Sequence, residues 1–168
     1  MYYQEGYVLG QLIGYSILLL PVIFFLLTQQ NTLKVIRREN RKLSPGLVWL
    51  QLIPIFNFYW MFVVVTRIAD SLDRENRSLL DDSILGVPDP DAAGDPGKRP
   101  TYRIGMTWCA LYLLFPLLII VFNLFSGIGE ARNFVIAFLI LSFFIMTCWV
   151  IYWVKLAGEK RKLQYRQA

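Results

Sequence analysis

Four apolar stretches of about 20 residues, close to 7–28, 46–66, 104–125 and 134–154, are almost free of charge and constrain this chain more than any motif does. A helix needs about 20 such residues to cross a hydrocarbon core of about 30 Å. With 56% apolar residues and a mean hydropathy of +0.47, the 168-residue chain reads as an all-α integral membrane protein. It is expected to form a single membrane domain, 1–168, with no room for a separate soluble catalytic domain. The first stretch is expected to be a retained anchor, because no Lys or Arg precedes it and no small-residue cleavage site follows it.

The placement of charge decides how many stretches span. All 17 basic residues lie in four segments: Lys34–Lys42, Arg67–Arg103, Arg132, and the tail from Lys155. Basic loops mark the cytoplasmic side. Four full spans would leave at best 11 cations inside and 6 outside. If the second stretch enters and leaves on one face, 16 fall inside and only Arg132 outside. The expected fold is therefore a helical bundle of three transmembrane helices (7–28, 104–125 and 134–154) plus a Pro-broken re-entrant hairpin at 45–66. Four transmembrane spans are the alternative, and the second stretch would then be a kinked span. The N-terminus is expected outside and the C-terminus in the cytoplasm.

The second stretch has the composition of a bend. It reads Ser44-Pro45-Gly46-Leu-Val-Trp49-Leu-Gln51-Leu-Ile53-Pro54-Ile-Phe-Asn57. Proline lacks an N–H and disfavours helix in the residue before it, so the chain is expected to break at Ile53–Pro54. Each arm would then be about 15 Å long, with the Asn57 amide available to the backbone groups freed at the bend.

Around this core, 29–43 is expected as a basic interfacial helix, its seam of Leu33, Ile36 and Leu43 set among Lys34, Arg37, Arg38, Arg41 and Lys42. Residues 67–80 read as a cytoplasmic amphipathic helix needing a partner surface. The Pro- and Asp-rich 81–100 reads as a flexible acidic linker, and 155–168 as a basic tail. Trp108, Tyr112, Trp149, Tyr152 and Trp153 are expected to form an inner aromatic belt. Gly6, Gly10 and Gly14, at four-residue spacing, form a small-residue face for helix packing or oligomerisation.

The chain has no histidine, and its two cysteines, Cys109 and Cys148, lie in apolar stretches. Metal sites, His-based catalysis and a disulfide framework are therefore not expected, nor is any cofactor. No ionisable residue lies deep in a span, which argues against a proton-coupled carrier. Without a nucleophile–base set, enzyme activity is not expected.

Arg37-Arg38-x-x-Arg41-x-x-Ser44-Pro45-Gly46-x-x-Trp49-x-x-x-x-Pro54-x-x-Asn57, followed by Arg67-Ile-Ala-Asp70-Ser-Leu72, resembles a signature of small bacterial membrane proteins of unknown function. The resemblance covers about 40 residues and implies a bacterial inner-membrane location, with no reaction attached.

Two function classes follow. The first is a non-enzymatic scaffold or interaction module whose basic cytoplasmic face (Arg37, Arg38, Arg41, Lys42, Arg74, Lys160, Arg161, Lys162) meets anionic lipid headgroups or a cytoplasmic protein partner. The cations follow a membrane exit directly, so nucleic acid is not the expected partner. The second is a homo-oligomeric channel or membrane-perturbing effector, with Trp49, Pro54 and Asn57 near the conduit.

Overall fold

The computed structural model describes residues 2–81, 99–125 and 131–167. Among them the chain is all-helical: α1 (Tyr2–Val35), a 3-10 segment (Pro45–Leu52), α2 (Pro54–Asp81), α3 (Tyr102–Phe125) and α4 (Ala131–Gln167). Among the described residues three helices are long and apolar enough to cross a membrane, over Pro54–Leu79, Tyr102–Phe122 and Phe134–Arg166, with hydropathies of 1.2, 2.3 and 2.7. The chain thus forms the expected all-α membrane bundle. The value for α2 is lowest because its second half is charged. Gly6, Gly10 and Gly14 fall within α1, but their packing lies outside the described residues, as do 82–98 of the linker.

Aromatic pairs set the order of the bundle. α3 and α4 are antiparallel, with Phe122 3.6 Å from Phe134, Phe115 4.7 Å from Phe138 and Trp108 5.9 Å from Tyr152. α1 lies beside α4 in the same direction, since Phe25 packs against Trp149 at 5.4 Å and the Trp153 indole donates to Thr28 Oγ1 at 2.9 Å. α2 runs antiparallel to α3, with Phe58 5.8 Å from Tyr112 and Val65 against Gly105. A Cβ at Gly105 would stand 2.5 Å from Val65 Cγ1 and 2.9 Å from Tyr152 Cε2, so Val65, Gly105 and Tyr152 form one tight three-helix layer. Within the apolar spans, hydroxyls return to their own helix: Thr28, Ser142 and Thr147 donate to the carbonyls four residues earlier.

Four of the five residues expected as an inner aromatic belt turn to Phe25 instead, which makes edge contacts with Trp108, Trp149, Tyr152 and Trp153 at 5.4–6.0 Å, while Tyr112 packs against Phe58 of α2. Edge-to-face geometry suits their quadrupoles and fills the space between α1, α3 and α4.

The chain doubles back at Ile53. Pro45 opens the 3-10 segment, Ile53 is extended (φ −80°, ψ 114°) as a residue before proline should be, and Pro54 starts α2 where its missing N–H costs nothing. The Trp60 indole donates to Leu47 O at 2.8 Å across the bend, so the 3-10 segment runs antiparallel to α2. The expected break is therefore in place, but the first arm is a 3-10 helix and the arms are unequal. The freed carbonyls are also met differently. Trp60 serves Leu47 O and the Gln51 amide serves Val48 O at 3.1 Å, instead of Asn57.

Buried apolar side chains gather at one end of the bundle. Leu33, Ile36, Leu43, Ile68, Leu72, Leu156 and Leu163 belong to one core cluster, whereas farther along α3 and α4 Leu124 and Phe143 are about seven-tenths exposed (72% and 71%). α4 continues past its apolar run to Gln167, so 155–167 is helix, with Leu156 and Leu163 on one face. The amphipathic part of α2 thus packs against other parts of its own chain.

Candidate functional site

The buried end of the bundle carries most of the described charge, and a clamped loop organises it. The interfacial helix expected over 29–43 does not form as one element. α1 stops at Val35, and 36–44 is irregular, because Arg41 donates through Nε to Ile36 O at 2.7 Å and through its terminal nitrogen to Lys34 O at 2.8 Å. These bonds satisfy carbonyls that a helix C-terminus leaves open, and a cation there suits the helix dipole.

The loop is then held against α2. The Glu75 carboxylate is fully buried and accepts from the Asn40 amide at 2.7 Å and the Arg37 backbone N–H at 3.2 Å, with the Arg37 guanidinium 3.5 Å away. Arg37 and Asn40 also donate to Ser78 Oγ at 3.3 Å each, and the Lys42 N–H donates to Ser71 Oγ at 2.8 Å. A carboxylate is buried at reasonable cost only with such partners. Its spacing with Ile68, Leu72 and Leu79 puts Glu75 on the apolar seam of α2, which is the signal that could have found it in the sequence.

The eight cations expected at the face separate into groups. Arg37 and Arg41 build the loop, and Lys42 is partly buried with its backbone tied to Ser71. Lys162 is ion-paired with Glu159 at 3.0 Å. Arg38, Arg74 and Arg161 are exposed and Lys160 is half-buried; none of these four makes an ion pair among the described residues. Lys34, Arg67, Arg103 and Lys155 are also exposed and make no ion pair among the described residues. Elsewhere at this end, Arg77 pairs with Asp73 at 3.0 Å and Arg99 with Asp70 at 3.2 Å, and Arg166 donates to Asn76 at 3.2 Å.

Arg67, Arg103 and Lys155 lie two, two and three residues beyond the layer of Val65, Gly105 and Tyr152. At about 1.5 Å per residue they share one level to within about 2 Å, one from each of α2, α3 and α4. From there α3 has 22 residues to Phe125 and α4 has 21 back to Phe134. Each length is about 32 Å, close to a hydrocarbon core.

Of the hairpin residues, Trp49 donates to Gln30 Oε1 at 3.3 Å and Pro54 starts α2. Asn57 sits among α1, α3 and α4 of its own chain. No group of three or more metal-ligating side chains occurs among the described residues.

The fold and this end together define a multi-pass helical membrane protein with a doubled-back helical hairpin and a clamped basic platform. Compared with known proteins, the chain matches no family model, no curated sequence and no solved structure.

Proposed function

We propose that the protein is a non-enzymatic membrane scaffold or interaction module of a bacterial inner membrane. Its basic platform lies at the cytoplasmic surface, where it engages anionic headgroups and offers the clamped loop to a cytoplasmic protein. The observation that carries this reading is the tier of Arg67, Arg103 and Lys155 below the apolar spans, with Arg38, Arg74 and Arg161 exposed beyond it. Cations flanking a span favour the cytoplasmic side, which sets the N-terminus outside and the C-terminus inside. Although Pro54–Leu79 as a whole is long enough to cross a membrane, on this placement its half beyond Arg67 lies outside the core and Pro54 rises only 13 residues, about 20 Å, which supports a re-entrant hairpin in a core of about 30 Å.

The test is headgroup selectivity in nanodiscs, read as the association of spin-labelled phosphatidylglycerol relative to phosphatidylcholine. Each cation near an anionic surface contributes about 1 kcal/mol, weakened by salt. The wild type should select phosphatidylglycerol, and the triple variant Arg67→Gln, Arg103→Gln, Lys155→Gln should lose most of that preference. Equal association of both lipids with the wild type would refute the headgroup part of the proposal.

A further inference from the structure

Apart from the platform, the bundle holds a cavity of about 270 Å³ between α1, the hairpin, α3 and α4. Its walls are aromatic and aliphatic: Phe25 from α1, Trp108 and Tyr112 from α3, and Ile145 and Trp149 from α4. Two amides from opposite arms of the hairpin, Gln51 and Asn57, join the lining, and Pro21, Val22 and Met146 sit on its exposed edge.

The hydrogen-bond state of the amides is specific. Gln51 spends both N–H donors, one on Gln29 Oε1 at 2.6 Å and one on Val48 O at 3.1 Å, leaving its carbonyl oxygen as an acceptor. The Asn57 side chain lines the space and makes no hydrogen bond among the described residues, which leaves its two donors and its acceptor without a partner there. An amide in apolar surroundings without a partner costs about 1–3 kcal/mol, and no bulk water reaches a lipid-embedded site to supply one. Asn57 also lies ten residues, about 15 Å, along α2 from Arg67, which puts it near the midplane of a core of about 30 Å. Phospholipid ester and phosphate groups stay at the interface, and an acyl chain offers the amide nothing. The complement is a neutral molecule that carries a carbonyl or hydroxyl into the bilayer centre, on a flat ring that aromatic walls can stack. A cavity of about 150 Å³ takes a benzene, so this one has room for a ring and the first part of a tail.

We propose that this cavity binds the headgroup of a membrane-soluble quinone-type lipid. Asn57 is the hydrogen-bonding contact, Phe25, Trp108, Tyr112 and Trp149 form the walls, and the tail leaves past Val22 and Met146 into lipid. This rests on the bilayer placement proposed above but not on the scaffold role.

Purified full-length protein in phosphatidylcholine nanodiscs is titrated with ubiquinone-1, and tryptophan emission is read, since Trp108 and Trp149 line the space. The expected result is saturable quenching. Asn57→Leu should weaken the apparent Kd about tenfold, the size of one or two lost hydrogen bonds. Ile145→Phe, which keeps the amides and pushes a ring into the space, should weaken the saturable component, with helical circular dichroism unchanged. Linear, non-saturating quenching equal in all three proteins would mean partitioning alone and would overturn the proposal. Displacement of ubiquinone-1 by n-dodecane with no effect of Asn57→Leu would mean an acyl-chain crevice and would overturn it equally.

Discussion

Removing the Glu75 carboxylate should open the loop at 36–44 without unfolding the bundle. In Glu75→Ala the Arg37 N–H loses its acceptor at 3.2 Å and the Asn40 amide its shorter one at 2.7 Å, although Asn40 keeps Ser78. The ion pair to Arg37 adds little, since that side chain is 37% exposed. Two charge-assisted bonds of about 1.5 kcal/mol each give about 3 kcal/mol for the loop's opening equilibrium. That corresponds to about a hundredfold more of the open form. Glu75→Gln keeps an oxygen in place and should cost about 1 kcal/mol, roughly a fivefold effect. Limited trypsin digestion in mild detergent reads this directly, because cleavage after Arg37 or Arg38 needs the segment extended, and the rate follows the open population when reclosing is fast. Circular dichroism should stay the same, since Leu33, Ile36 and Leu72 keep their packing. Equal cleavage rates in wild type and Glu75→Ala would refute the clamp.

Three further substitutions probe the packing. Gly105→Ala puts a methyl 2.5 Å from Val65 Cγ1 and should lower stability in detergent by about 1–2 kcal/mol; Val65→Ala in the same chain should restore part of it, since the approach to Tyr152 Cε2 at 2.9 Å stays. Arg41→Ala removes two bonds to the end of α1 and should cost about 1 kcal/mol by thermal unfolding, and Arg41→Lys should not rescue it, because a single ammonium lacks the planar fork. Trp60→Phe leaves Leu47 O unpaired beside the bend and should destabilise by about 2 kcal/mol, whereas Tyr59→Phe, on an exposed position, should be near neutral.

Much of this was legible in the sequence because it is local. The apolar runs predict the helices, the Ile53–Pro54 pair marks the reversal through the steric rule for residues before proline, and Ile68, Leu72 and Leu79 trace the seam of α2. What escaped depends on contacts distant in sequence. Leu33, Ile36 and Leu43 look like one amphipathic helix, but Arg41 folds back to cap α1 and Glu75, 35 residues after Asn40, pulls the loop onto α2. The aromatic residues of α3 and α4 have the composition of a lipid belt, and only the insertion of Phe25 from α1 turns them inward. Gly105 looks like one more glycine in an apolar helix until Val65 and Tyr152 converge on it. The platform suffered most from this, since Arg37 and Arg41 are as basic as Arg38 and Arg74 yet are consumed by the structure.

On the proposed placement the chain enters and leaves the membrane on one face around Ile53, and sidedness labelling tests this. In a Cys109→Ala, Cys148→Ala background, single cysteines replace Arg38, Arg74 and, as the opposite-face control, Arg132. A membrane-impermeant maleimide is then applied to right-side-out and inside-out vesicles. Positions 38 and 74 should label together from the inner face and position 132 from the outer. Labelling of 38 and 74 from opposite faces would contradict it.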